Sequence, residues 1–138
     1  MIEYRYNLFK KSMSDFNFER FEARNVRVEK RITITKSESI GFPTGFHKSE
    51  GLEGQKFVTL FYDRKNKAIG IQFTNEEKAE SSFSLAHNKR GYGAGIVARS
   101  FFKANDIDTK KYYGRYDWKK QFVGGIGNMY IIELKERQ

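Results

Sequence analysis

The stretch that decides the fold runs from Arg31 to Phe73 and reads RITITKSESIGFPTGFHKSEGLEGQKFVTLFYDRKNKAIGIQF. Near its start, Ile32 and Ile34 alternate with threonines, which is the period-2 pattern of a half-buried strand. A turn-rich segment and a second short apolar run follow, and Pro43, the only proline in the chain, ends that run. The stretch therefore begins with two short extended segments joined by a turn.

The second part of the stretch predicts a short helix and a hairpin. Phe46 and Leu52 flank a helical segment, and Gly54 closes it as a glycine after a helix usually does. Two strand-like runs, residues 57–63 and 67–73, then follow with a polar connection of hairpin length between them. We predict an α+β fold that is mostly β, with an antiparallel sheet or small barrel and one to three short helices.

Length and composition indicate a single domain covering residues 1–138. Only 38% of the residues are hydrophobic, so burial depends on the aromatic side chains, of which 13 are Phe, eight Tyr and one Trp. Each ring buries a large area, which offsets the small number of aliphatic residues. The chain can therefore form a real core.

The chain is strongly basic, with 26 Lys and Arg residues against 17 Asp and Glu, a formal net charge of +9 and a pI near 9.7. A basic surface raises the encounter rate with polyanions, which makes nucleic acid the first partner class and an anionic membrane the second. Scattered lysines with no binding role would give the same charge, so charge alone does not decide.

Residue usage excludes several kinds of chemistry. With no cysteine, the chain has no disulfide scaffold, thiolate metal site or cysteine nucleophile. His47 and His87 are the only histidines, too few for a histidine-rich metal site. We predict no cofactor, no metal and no catalytic residue.

Localisation is predicted from what the sequence lacks. The first residues, MIEYRYNLFKK, contain a glutamate and no apolar core, unlike a signal peptide. No apolar run approaches the roughly 20 residues that span a bilayer. We expect a cytoplasmic protein with no membrane partner.

Upstream of the central stretch the pattern is less regular. Residues 2–8 alternate as a first strand, and residues 12–24 are ambiguous, with a short helix favoured over a strand. Val26 to Lys36 is the clearest strand, and it places Arg27 and Arg31 on one side at a spacing that two phosphates could match. An ordinary solvated strand face is the alternative.

Downstream, a polar linker at residues 74–82 precedes a glycine-rich tip, HNKRGYGAG. Lys89, Arg90 and Tyr92 stand among its three glycines, where cations and backbone N–H groups can approach a phosphate and a tyrosine can stack on a base. A mobile hairpin turn explains the same composition.

A second basic segment interleaves cations with aromatic rings between residues 110 and 120. Cations can contact phosphates while rings stack on bases, so this segment is a candidate nucleic-acid surface. An amphipathic strand with inward-packed rings is the alternative. The candidate binding residues here are Lys110, Lys111, Arg115, Trp118, Lys119 and Lys120.

The central stretch has a weaker echo downstream, which suggests internal repeats at residues 31–73 and 94–134. At a fixed offset of 55, Phe46 pairs with Phe101 and Lys48 with Lys103. The order of elements also repeats, as a short strand, a helical turn and then two strands. With one residue deleted in the second copy, Tyr62-Asp63 then aligns with Tyr116-Asp117.

Within each copy the arrangement resembles the swapped-hairpin DNA-binding domains of the AbrB, MazE and SpoVT type. The resemblance rests on SIGFP at residues 39–43, the segment 46–63 and the closing strand 67–73. It implies a pseudo-dimeric barrel formed within one chain and binding to DNA. The second copy departs from the pattern, since Ala98 and Thr109 replace the proline and the loop glycine.

The family resemblance also implies which residues contact DNA, namely the basic residues near the first strand and the turn. In this sequence these are Arg31, Lys36, Lys48, Arg99 and Lys103.

We predict a non-catalytic, regulatory nucleic-acid-binding protein, with duplex DNA favoured over RNA and the oligomeric state left open. One alternative is a protein-interaction module with exposed aromatic residues. Another is a metal-dependent nuclease, because Asp117, Glu133 and Lys135 are similar in order to a restriction-type site with two Mg²⁺-binding carboxylates and a supporting lysine.

Overall fold

A computed structural model of the protein describes residues 16, 18, 29–76, 82–89 and 93–137. In these ranges the chain forms β1 (Ile32–Ile34), β2 (Ser39–Phe42), α1 (Thr44–Ser49), β3 (Phe57–Asp63), β4 (Ala68–Thr74), β5 (Ser82–Ser84), β6 (Ala86–His87), β7 (Ala94–Val97), α2 (Arg99–Ala104), α3 (Thr109–Tyr112), β8 (Gly114–Tyr116), β9 (Lys119–Val123) and β10 (Gly127–Glu133). None of these helices is long and apolar enough to cross a membrane.

The strands form two antiparallel sheets of five strands each. Sheet A has the order β6-β7-β2-β1-β8, and sheet B has the order β5-β3-β4-β10-β9. The predicted class, α+β and mostly β with short helices, is confirmed. The two sheets stay separate and do not close into the small barrel that the sequence left open.

One buried cluster joins both sheets, because apolar residues alternate along the strands. In β1, Ile32 and Ile34 are buried while Thr33 between them is partly exposed. The helices add Phe46 from α1 and Phe102 from α2, both fully buried. Sheet B contributes Val58, Ile69, Ile71 and Ile132 to the same cluster.

Phe46 is the centre of an aromatic cluster within this core. Its ring centroid lies 5.0 Å from those of both Trp118 and Tyr130, in edge-on contacts. The rings of Phe42 and Phe73 lie 5.5 and 6.1 Å away. Such ring pairs add to the free energy gained from burying their area, so α1 is fixed against both sheets through one side chain.

The first strand is shorter than the sequence pattern predicts. Of the predicted strand Val26–Lys36, only Ile32–Ile34 is a strand among the described residues, and residues 29–31 precede it. The strand ends at Ile34 because a tight turn follows, in which Glu38 adopts a φ of 66° and the Thr35 N–H donates to the Ser39 carbonyl. Three predictions fall on residues that the structure does not describe. They are the strand at residues 2–8, the helix at residues 12–24 apart from residues 16 and 18, and the position of Arg27.

The central stretch otherwise follows its pattern closely. The strand predicted at residues 57–63 is β3, and its partner is β4 at Ala68–Thr74. Helix α1 ends at Ser49, before the predicted stop at Gly54. The cause lies at Gly51, whose φ of 66° takes the chain out of the helix almost immediately.

Two elements recur at the spacing of the sequence echo. Strand β2 begins at residue 39 and β7 at residue 94, while α1 begins at residue 44 and α2 at residue 99, so both pairs are 55 residues apart. Beyond the helices the alignment fails at the next strand, because Tyr62 lies in β3 of sheet B and Tyr116 in β8 of sheet A. The duplication itself stays a prediction.

A histidine pair attaches the edge strand β6 to α1. The Nε2 atom of His87 lies 2.6 Å from the Gln55 carbonyl, and because a carbonyl only accepts, His87 donates there. With its proton on Nε2, His87 accepts at Nδ1 from Nε2 of His47, 3.0 Å away. Burial, and then the proximity of His87, lower the pKa of His47, while Glu53 opposes this shift.

We predict that replacing Phe46 by alanine lowers the free energy of unfolding by roughly 3–5 kcal/mol, because a fully buried ring leaves a cavity in the core. Urea denaturation monitored by circular dichroism measures the change. The matched control is Phe122→Ala, since Phe122 is 70% exposed and its loss should change little. Equal losses in the two variants would contradict the assignment of Phe46 to the core.

We predict that the protein loses stability as the pH falls below about 6.5, the ordinary pKa of histidine. The lowered pKa of His47 means that the unfolded chain binds a proton first, so the stability is present above pH 6.5 and decreases below it. Urea denaturation at pH 7.5 and pH 5.5 tests this against His47→Gln, which keeps an N–H donor without titrating. The variant should lose less stability than the wild type over this interval, and equal losses would refute the role of His47.

Candidate nucleic-acid interface

An open cavity of about 480 Å³ lies beside β8, β9 and the end of β10. Five cationic side chains line it, namely Arg31, Arg115, Lys119, Lys135 and Arg137. The pairing of β1 with β8 places Ile32 opposite Tyr116 and Thr33 opposite Arg115, which brings the start of β1 to the same edge. Residues distant in sequence thus meet at one end of the two sheets.

Arg31 and Arg115 converge on a single carboxylate, that of Glu29. Arg31 donates to it from Nε at 3.0 Å, from Nη2 at 2.9 Å and from its backbone N–H at 2.9 Å. Nη1 of Arg115 lies 3.5 Å from the same carboxylate. The hydrogen bonds from Arg31 lower the pKa of Glu29 to about 2, so Glu29 is ionised at any pH near neutral. The two guanidinium groups are therefore already arranged around one anion.

Arg137 is held in place by the backbone around Gly114. Its Nε donates to the Tyr113 carbonyl at 2.6 Å and its Nη2 to the Arg115 carbonyl at 3.0 Å. A β carbon on Gly114 would lie 2.5 Å from this guanidinium, so only glycine leaves room for it. The guanidinium also lies 5.0 Å from the Tyr116 ring centroid. Arg137 thus presents a fixed charge to the cavity.

The cavity wall also carries two carboxylates and one indole. Asp117 and Glu133 line it together with Trp118. Trp118 is partly buried against Phe46, and its Nε1–H donates to the Lys30 carbonyl at 2.8 Å. The cavity is therefore not uniformly cationic, and its indole is fixed in position by packing.

Four of the sequence-predicted binding residues meet at this cavity: Arg31, Arg115, Trp118 and Lys119. Lys36 reaches the neighbouring edge, where its Nζ lies 4.5 Å from the ring centroid of Tyr113. Arg27, Arg90 and Tyr92 lie outside the described residues.

The other predicted residues are exposed and do not line the cavity. Arg99 begins α2 and forms an ion pair of 3.2 Å with Glu38, and Lys120 lies 3.7 Å from Glu50. The remaining positions are Lys48 in α1, Lys89 between β6 and β7, Lys103 in α2, and Lys110 and Lys111 in α3. The predicted set is thus one cluster plus scattered surface cations.

Arg137 and Lys135 are cavity residues that the sequence prediction of binding residues missed. The signal that could have found them is the spacing of Glu133, Lys135 and Arg137, alternate residues that share one side of an extended chain. All three line the cavity. Lys135 and Arg137 belong to the cavity only because β8 lies beside them in the fold, and a local sequence pattern does not predict that contact.

The positions of three cavity residues match the nuclease alternative in part. Asp117, Glu133 and Lys135 line the same cavity, as a restriction-type site would require. However, the described part of the chain contains no group of three or more His, Cys, Asp or Glu side chains suited to holding a metal.

Comparisons with known proteins add nothing to this geometry. No protein-family model, curated protein or solved structure matches this chain.

Proposed function

We propose that this protein binds nucleic acid, DNA rather than RNA, through phosphate contacts at the cavity beside β8. The observation that carries the proposal is the convergence of five cationic side chains on one cavity. Binding would be non-catalytic and regulatory, as the sequence indicated.

The electrostatics of the cavity support a phosphate ligand. Arginine presents a planar fork that pairs with carboxylate and phosphate oxygens alike. Arg31 pairs with Glu29 in this forked manner, and Arg115 approaches the same carboxylate. A phosphate that displaced Glu29 would find both guanidinium groups already in position.

The resemblance of residues 31–73 to AbrB-type domains supports the same function. Of the residues that the resemblance assigns to DNA contact, Arg31 is at the cavity and Lys36 is at the adjoining edge. A DNA backbone following this edge could contact both.

A protein-interaction module remains the competing function, favoured by the exposed ring of Phe122 on the edge strand β9. It predicts binding to an acidic protein and none to nucleic acid. Titrations of the protein with nucleic acid distinguish the two functions.

We predict that the double variant Arg31→Gln, Arg115→Gln weakens DNA binding and flattens its salt dependence. Each lost phosphate contact should reduce the slope of log K against log[salt] by about 0.9 for duplex DNA. Fluorescence anisotropy with a labelled duplex at 50–200 mM NaCl measures both quantities.

The control for this experiment is Arg64→Gln. Arg64 lies in the turn between β3 and β4, contacts Asn105 and does not line the cavity. Its substitution should leave the slope nearly unchanged. If wild-type protein shows no salt-sensitive affinity for duplex or single-stranded DNA or for RNA, the proposed function is wrong.

We predict that Glu29→Gln strengthens DNA binding, because it removes the internal anion that competes for Arg31 and Arg115. The same anisotropy titration at pH 7 and fixed salt measures the gain. Glu76→Gln changes the net charge equally, in the loop just after β4, and serves as the control. An equal gain in both variants would mean that only overall charge matters.

A further inference from the structure

Sheet A has one face in the core and one face open to solvent. In β1, Ile32 and Ile34 are buried and Thr33 between them is partly exposed. Residues directly opposite each other on paired strands point to the same face, so the register places one residue of every strand in a row with Thr33. In the strand order of the sheet, this outer row consists of Ala86, Gly95, Gly41, Thr33 and Arg115.

The outer row carries little side-chain bulk. Apart from Arg115 at the β8 edge, its members are two glycines, one alanine and one threonine. Two open cavities, of about 490 and 430 Å³, lie along the row, and Gly41 and Ala86 line both of them. Five strands at a spacing of about 4.8 Å make the row roughly 19 Å long. The outer face is therefore a shallow trough that runs across sheet A.

The fold does not require glycine at position 41. The φ of Gly41 is not in the left-handed region, and β2 pairs continuously with β1 and β7 through this position, so it is not a bulge. A β carbon on Gly41 would lie 3.9 Å from the β carbon of Thr33, an ordinary contact. Glycine weakens a strand relative to alanine. The remaining reason for a glycine inside a strand is the close approach of another backbone or a ligand.

The glycine opposite Gly41 extends the bare surface. Packing explains Gly95 in part, since a β carbon there would lie 3.2 Å from the Ile40 carbonyl oxygen. Gly41 and Gly95 are nevertheless a cross-strand pair. The main chain of two adjacent strands is thus open to a partner at the middle of the trough.

The charge of sheet A indicates the class of this partner. Its five strands contain one arginine, one histidine and no Asp or Glu. Of the carboxylates adjacent to these strands in sequence, Glu38 forms an ion pair of 3.2 Å with Arg99. The other, Asp117, lines the cavity together with Arg31. Exposed Lys89 follows β6 at the opposite edge. A face that runs between cations, with no carboxylate on its strands, suits a polyanion.

We propose that the sugar–phosphate backbone of DNA crosses the outer face of sheet A, from the cavity at the β8 edge to Lys89 beyond β6, and approaches the main chain most closely at Gly41. This inference rests on the proposed function and identifies the surface that bound DNA follows beyond the cavity. Arg115 connects the two, because it belongs to the outer row and also lines the cavity. At 3.4 Å per nucleotide of one strand, a row of roughly 19 Å corresponds to about five or six phosphates.

The first test adds bulk to the trough without adding charge. Valine suits a strand, and its β carbon meets only an ordinary contact at position 41, so Gly41→Val should keep the free energy of unfolding or raise it. We expect the same variant to bind a labelled duplex roughly tenfold more weakly, as for the loss of one hydrogen bond to a charged group. Urea denaturation and fluorescence anisotropy measure the two quantities.

The matched control is Gly124→Val. Gly124 lies in the turn between β9 and β10, and a β carbon there has open space around it, so DNA affinity should not change. Gly41→Ala adds a single methyl group and supports the same comparison if the valine variant does not fold. If Gly41→Ala destabilises the protein, packing requires the glycine and the inference is wrong.

The second test maps the DNA directly. The chain contains no cysteine, so Ala86→Cys introduces its only thiol at an exposed position of the outer row. Saturating duplex should slow the reaction of this thiol with N-ethylmaleimide several-fold. The reaction of Gly124→Cys should not change, since position 124 is outside sheet A.

The outcomes separate this inference from the proposed function. If DNA binding depends on Arg31 and Arg115 but neither Gly41→Val nor the thiol responds, the outer face is wrong and the proposed function stands. If both respond while the Arg31, Arg115 double variant binds normally, the outer face stands and binding through the cavity is wrong. If the wild type binds no nucleic acid but self-associates, and Gly41→Val abolishes this association, the outer face is a protein interface and both proposals are wrong.

Discussion

The antiparallel pairing of β4 with β10 is the constraint on which the rest of the structure depends. It places Ile69 opposite Ile132 and Ile71 opposite Tyr130, and so joins the hairpin β3–β4 to the hairpin β9–β10 in one sheet. In sheet A, β2 and β7 pair in the same antiparallel manner. Because the buried side chains of both sheets form one cluster, neither half can shift in register without exposing its apolar residues.

The cavity is a direct result of this arrangement. Because β10 lies between β4 and β9 in sheet B, the residues that follow it run past β8. There the Lys135 N–H donates to the Tyr116 hydroxyl at 3.2 Å, and that hydroxyl donates to the Tyr112 carbonyl at 2.6 Å. That contact sets Lys135 and Arg137 beside Arg115. The net charge of +9 is thus less informative than the place where five cations share one wall with two carboxylates.

The sequence predicted what short-range patterns encode. Alternation and turn residues gave the hairpin at residues 57–73 and the fold class, since period-2 burial and glycine or polar turns act locally. The position of β8 was not predictable, because Gly114–Tyr116 was read as part of one basic segment and its partner β1 lies about 80 residues earlier. Arg137 was missed for the same reason, since its neighbours Tyr113 and Gly114 become neighbours only in the fold.

The two edges of sheet A are different, and this bears on the proposed binding of DNA. One edge is β8, which forms the wall of the cavity, and the other is β6, a two-residue strand tied to α1 by histidines. A symmetric dimer with two equal edges would match a palindromic pair of half-sites. This chain, although β2–α1 recurs as β7–α2, presents its cationic cavity at one edge. Each chain therefore offers one such cavity, at one edge of sheet A only.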